Sequence, residues 1–151
     1  MSEIVNLLSA VLEHERDRPG WVMRSSRLGD ALGAARIGGS IYELAEGEHS
    51  FPYHFHHGVE EWLIVLDGAP TVRTPAGEQQ LRAGETVCFP AGAEGAHEFS
   101  GPGRVLVLSA NQVPSISVYP ESGKLGVRPA DRRDNLNFRR ADAVDYWEGE
   151  E

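Results

Sequence analysis

Between Ile37 and Tyr119 the chain is a succession of short apolar runs, each cut off by a turn rich in glycine, proline or aspartate. Such runs are too short for stable helices but long enough for strands. They cover residues 40–44, 51–57, 61–66, 71–74, 78–81, 86–89, 96–100, 104–109 and 115–119. Asp67-Gly68-Ala69-Pro70, Pro75-Ala76-Gly77 and Gly101-Pro102-Gly103 read as hairpin turns. Many short strands with turns at about 8 to 12 residue spacing predict a β-sandwich or barrel. No internal repeat or second domain interrupts them, and 151 residues suit one core.

The flanks read differently. Ile4, Leu7, Leu8, Val11 and Leu12 have helical spacing, so residues 3–15 are expected to form a short helix or an irregular segment. Trp21 to Met23 reads as a first strand, and residues 27–33 as a loop or helical turn. Residues 1–36 are thus an N-terminal arm, 37–119 the barrel and 120–151 an irregular C-terminal tail, all within one domain. The tail is expected to wrap the body, with Tyr146 and Trp147 as anchors. Residues 62–66 are apolar on both faces, Leu63 and Val65 on one and Trp62, Ile64 and Leu66 on the other. A strand buried on both sides needs a cover, from the arm or from a second copy in a homodimer.

One stretch inside the strands is polar, His54-Phe55-His56-His57-Gly58-Val59-Glu60-Glu61. On a strand His54 and His56 share a face while Phe55 and His57 take the other. If Gly58 reverses the chain, Glu61 returns beside the two imidazoles. Burying such groups without partners costs about 2 to 7 kcal/mol for a neutral polar group and more for a charge. A divalent cation removes that cost, and imidazole with carboxylate is a suitable ligand set.

These residues resemble the cupin superfamily. Its first motif, Gly, five residues, His-x-His, three or four residues, Glu, six residues, Gly, is met by His54, His56, Glu61 and Gly68, with Gly47 one residue too far from His54. Glu60 misses the spacing to Gly68 by one residue and falls on the face opposite Leu63 and Val65. The second motif, Gly, five residues, Pro-x-Gly, two residues, His, is met by Gly84, Pro90 and Gly92. Its histidine comes two residues late, at His97, and the asparagine that follows in the family is missing. Arg27-Leu28-Gly29-Asp30 and Tyr119 to Lys124 are similar to small bacterial single-domain cupins, some of them named sugar-phosphate isomerases by analogy. The resemblance implies a jelly-roll β-barrel and a site of His54, His56, Glu61 and His97 holding Zn, Mn, Fe or Ni.

The remaining candidates read as structural. Cys88 is expected to be a small buried hydrophobe, or to line the pocket with Thr86. His14, His49, His57 and Lys124 are assigned to the surface, and Tyr53, Phe55, Phe89 and Phe99 to the core. A net charge of −9 argues against nucleic acid, and Asp131, Asp134 and Asp142 interrupt the arginines at 132, 133, 139 and 140. No apolar run reaches membrane-spanning length. Met1 to Val5 lacks the pattern of a signal peptide, and a single cysteine permits no internal disulfide, which together favour the cytoplasm. Two functions fit. One is a small metalloenzyme, isomerase- or dioxygenase-like, acting on a small oxygen-rich substrate. The other is a non-catalytic module, a sensor or accessory protein that binds a metal or small molecule. No general acid or base is legible, so turnover itself stays open.

Overall fold

The computed structural model describes residues 3–150; residues 1, 2 and 151, the outermost parts of the arm and the tail, lie outside them. In chain order the strands are β1 (His14–Arg16), β2 (Met23–Arg27), β3 (Ile37–Leu44), β4 (Phe55–His57), β5 (Glu61–Gly68), β6 (Thr71–Thr74) and β7 (Gly77–Gln80). They continue with β8 (Thr86–Phe89), β9 (Glu98–Ser100), β10 (Gly103–Ala110), β11 (Ser115–Tyr119), β12 (Lys124–Arg128) and β13 (Leu136–Arg139). One four-residue helix, Leu28–Ala31, sits between β2 and β3.

The strands form a jelly roll of two facing layers. One layer is a six-stranded antiparallel sheet in the order β1-β2-β3-β10-β5-β8. The other has two parts, β13-β12-β11-β4 and β7-β6-β9. A single bridge between His54 and His97 joins these parts, with the His54 amide donating to the His97 carbonyl at 3.1 Å and the reverse bond at 2.8 Å. The layers therefore meet as an open-ended barrel rather than a continuous hydrogen-bonded cylinder.

Alternation along each strand decides what lies between the layers. Tyr42 and Leu44 of β3, Leu63 and Val65 of β5, Val105 and Val107 of β10, and Phe89 of β8 face inward. Val72 and Phe99 meet them from the opposite layer. Ile41, Ile64, Leu66, Leu106 and Leu108, of opposite parity, form a second apolar cluster on the outer face of the large sheet.

The N-terminal arm covers that outer face. Val5, Leu7, Ala10 and Leu12 pack there with Leu28. The arm is not helical: residues 7–9 make a turn and β1 follows. Arg104 fastens it, donating from Nε to the Leu7 carbonyl at 3.0 Å and from Nη2 to the Ala10 carbonyl at 2.7 Å, with Nη1 on Glu43 at 2.9 Å. Backbone carbonyls that a helix would have used internally are spent on Arg104, so tertiary contacts override the helical spacing. The arm thus supplies much of the cover that the two-sided apolar β5 requires, although Trp62 stays 45% exposed.

Three expectations are corrected. The tail is not irregular throughout, because β12 and β13 extend the second layer as a hairpin. It does not anchor on the body through its aromatics either, since Tyr146 and Trp147 meet each other edge to face and are 83% and 71% exposed. Cys88 is exposed rather than buried, because it pairs with Trp62 on the outer face beyond the arm's reach while Val87 and Phe89 take the inward parity.

Arg104→Gln should release the arm without unfolding the barrel. Amide exchange is expected to accelerate at residues 5–12 and to stay slow in β5 and β10; unchanged protection of the arm would show that its apolar contacts suffice alone.

Candidate metal centre

Three segments deliver four side chains to one end of the space between the layers. His54 and His97 face each other across the bridge that joins the parts of the second layer, so their imidazoles emerge on the same side, with ring centroids 4.7 Å apart. His56, two residues along β4, shares that face. Glu61 opens β5 in the opposite layer, on the inward parity of Leu63 and Val65. Glu60 points out and accepts a hydrogen bond from the Trp62 indole.

His97 reaches the site from a loop two residues longer than the family motif allows. The extra length is taken up by a turn of 3₁₀ helix at Ala93–Gly95. Gly95 is required there, because a Cβ would lie 1.8 Å from the Pro90 carbonyl oxygen. The compressed loop returns the chain to the bridge at His97.

The ligand-capable atoms of His54, His56 and Glu61 all lie within 4.8 Å of one another. His54 Nε2 is 3.1 Å from His56 Nε2, and Glu61 Oε2 is 3.2 Å from His56 Nε2 and 3.3 Å from His97 Nε2. Ligands at about 2.1 Å from one ion are spaced about 3.0 Å apart at octahedral right angles and about 3.4 Å apart in a tetrahedron. The observed separations match that spacing.

Hydrogen bonds on the far side of each ring decide where its lone pair points. His54 Nδ1 is 2.9 Å from the Pro52 carbonyl and His97 Nδ1 is 2.8 Å from the Gly95 carbonyl. A carbonyl only accepts, so both rings carry their proton on Nδ1 and, when neutral, present a bare Nε2 to the centre. His56 Nδ1 meets the Ser117 hydroxyl at 3.2 Å. Such outer bonds fix the orientation and tautomer of metal-binding histidines. Aromatic faces hold the same rings: Phe89 stacks on His97 at 3.8 Å and Tyr119 on His54 at 5.7 Å.

Burial and mutual proximity set the charges. His54 and His97 are 7% and 4% exposed. Burial, reinforced by His97 and His56, pushes the His54 pKa down from 6.5 to about 4, so this ring is neutral at pH 7. Burial pushes the Glu61 carboxyl up, but the adjacent His56 and His97 rings outweigh it and hold the group well below the usual carboxylate range. Neutral imidazole beside ionised carboxylate is the protonation state that a divalent cation needs.

Of the four residues singled out in the sequence, His54, His56 and Glu61 form the mutually close group, and His97 adjoins it through Glu61 at 3.3 Å. His57 is exposed and His49 is engaged with Glu98 at 2.6 Å, both away from the cluster. A cavity of about 230 Å³ adjoins the four residues and is also lined by Tyr42, Ser117, Tyr119 and Arg128. Burial raises the pKa of Tyr42, which keeps its hydroxyl protonated. Tyr42, Ser117 and Tyr119 were discoverable by parity alone: Tyr42 alternates with Leu44, and Ser117 and Tyr119 share one face of their strand. Arg128 had no such signal, because its segment read as irregular.

Residues 40–110 match the Cupin domain family. No curated protein matches the chain. Among solved structures, the chain is similar to a protein named "Putative sugar phosphate isomerase" from Acidithiobacillus ferrooxidans, with 27% identity, a TM-score of 0.77 and 91% of each chain covered. It is also similar to a sugar phosphate isomerase of the cupin superfamily from Silicibacter pomeroyi, with 25% identity, a TM-score of 0.73, and 83% of this chain and 82% of that one covered. The polyketide cyclase RemF from Streptomyces resistomycificus shares the fold at 21% identity and a TM-score of 0.53, covering 76% of this chain and 84% of its own. With both motifs on strands of a jelly roll and the domain match spanning them, residues 40–110 are a cupin domain.

Proposed function

We propose that this protein is a small metal-dependent enzyme of isomerase type, acting on a small oxygen-rich substrate in the cytoplasm. His54, His56, Glu61 and His97 would hold one divalent cation, Zn, Mn, Fe or Ni. The observation that carries this reading is the convergence of imidazole nitrogens and a carboxylate at 3.1 to 3.3 Å, two of those imidazoles with Nδ1 tied to a carbonyl. A bound cation supplies Lewis-acid polarisation of a substrate carbonyl or hydroxyl oxygen.

The chain's own residues supply the remaining chemistry. Tyr42, from β3, holds a proton at its hydroxyl on the cavity wall and is the candidate general acid. Phe89 and Tyr119 keep the rings in place and exclude water from their faces. The names of the two bacterial neighbours support an isomerase over an oxygenase. Chelator-sensitive turnover in a panel of sugar phosphates and dioxygenase substrates tests this. Saturable binding with no turnover anywhere in the panel would favour a non-catalytic module.

Metal content tests the ligand set directly. His54→Ala, His56→Ala and His97→Ala are each expected to lower bound metal in purified protein from about one equivalent to less than about a tenth, by elemental analysis. Full occupancy in all three variants would overturn the assignment.

The pH response of the metal-free protein follows from His54. Its pKa is lowered on folding, from 6.5 to about 4, so the unfolded chain binds the proton more tightly between those values. Stability is therefore fully present above pH 6.5 and declines as pH falls to 4, by an amount on the order of 3 kcal/mol. Glu61, also lowered, extends the loss to more acidic pH. Urea midpoints followed by tryptophan fluorescence should show this slope in the wild type and a shallower one in His54→Asn; parallel slopes would contradict it.

A further inference from the structure

The chain carries a net charge of −9, yet the wall beside the histidine–glutamate cluster carries a guanidinium. Arg128 lines the inner cavity with the four clustered residues. It also lines a wider cleft of about 820 Å³, shared with His56 and Glu61, whose wall adds Arg27, Arg132 and one carboxylate of opposite charge, Asp30. Among the described residues, none of the three arginines has a carboxylate within ion-pair distance, whereas Arg73, Arg104 and Arg133 all do.

Arg128 is fixed in place rather than mobile. Nη1 donates to the carbonyls of Val127 at 3.1 Å and Leu136 at 3.0 Å. Nη2 donates to Asn137 Oδ1 at 2.8 Å and, at a long 3.5 Å, to the Tyr119 hydroxyl. Every acceptor is neutral. A partly buried guanidinium so held is oriented but not neutralised, and its field acts on whatever enters the cavity.

Gly126 makes this placement possible. A Cβ there would fall 2.6 Å from Nη2 and 2.9 Å from Cζ and Nη1 of Arg128, so the guanidinium lies across the bare backbone. Gly126 is the strand partner of Ser117, which touches His56 Nδ1. The missing side chain therefore leaves a slot that carries positive charge toward the support of the proposed ligands.

We propose that Arg128 binds the anionic end of the substrate, a carboxylate or a phosphate, while the substrate's hydroxyl or carbonyl oxygens reach the histidine–glutamate cluster. Arg27 and Arg132, farther out, attract the same anion into the cleft. The proposal deepens the reading of this site as a metal centre and rests on it for the second half of that geometry. The anion end stands on Arg128, Gly126 and Asn137 alone.

The test titrates metal-loaded and metal-free protein with inorganic phosphate and, separately, with malonate, by calorimetry. At least one anion should bind, and which one binds more tightly separates phosphate from carboxylate substrates. Arg128→Gln should weaken that binding by about tenfold or more with metal content unchanged, and Arg128→Lys should recover part of it. Gly126→Ala keeps every charge but displaces the guanidinium, so it should weaken the anion comparably, and it decides the matter if Arg128→Gln fails to fold. Wild-type protein that binds neither anion, or anion binding unaffected in Gly126→Ala and in folded Arg128→Gln, would overturn the proposal. Anion binding that depends on Arg128 in a protein that takes up no metal would instead overturn the metal centre and leave the anion site standing.

Discussion

The reciprocal hydrogen bonds between His54 and His97 are the constraint on which the candidate site depends. They are the seam between the two parts of the second layer, and they set both imidazoles on the same face. A slip of one residue on either strand would turn that strand's imidazole outward and carry its neighbours with it. The arrangement also explains why a lengthened loop is tolerated before His97. What the seam requires is that the chain re-enter the bridge in phase, and the 3₁₀ turn packed against Pro90 achieves that with two extra residues.

The space between the layers is divided by chemistry. Leucine, valine and phenylalanine fill the part under β6 and β9, while the part under β4, β11 and β12 carries histidine, serine, tyrosine and arginine. The apolar part provides the burial that stabilises the sandwich. The polar part is kept open, with each histidine ring braced from behind by a carbonyl or hydroxyl. The outer face of the large sheet has its own apolar cluster under the N-terminal arm, which leaves Trp62 and Cys88 exposed at the β5–β8 edge.

The order of the barrel strands was legible because each strand is short, alternates in polarity and ends in a turn residue. All nine runs from Ser40 to Tyr119 hold strands, with shifted ends at β4 and β9 where the chain runs irregularly before the bridge. Glu61 was separable from Glu60 by parity, and the structure has Glu61 inside and Glu60 outside. The helical alternative for the arm and the irregular reading of the tail fail because their sequences carry weak local signals. Of the helically spaced residues only Leu7 and Leu12 meet the sheet, while Ile4, Leu8 and Val11 are exposed, because the arm crosses the sheet without a helical turn. Nothing local announces that β12 and β13 will find an edge to pair with.

By itself the sequence determined which residues have strand parity, where the chain turns, and that two histidines share one face with a carboxylate of matching phase. These are properties of neighbours, and a period of two expresses them without knowledge of the rest of the chain. Only the tertiary structure decided that His97 stands opposite His54, that Tyr42 and Arg128 share their cavity, and that the arm covers the outer face. Each of those contacts joins residues that are distant along the chain, and their proximity depends on sheet pairing and packing that no local pattern encodes.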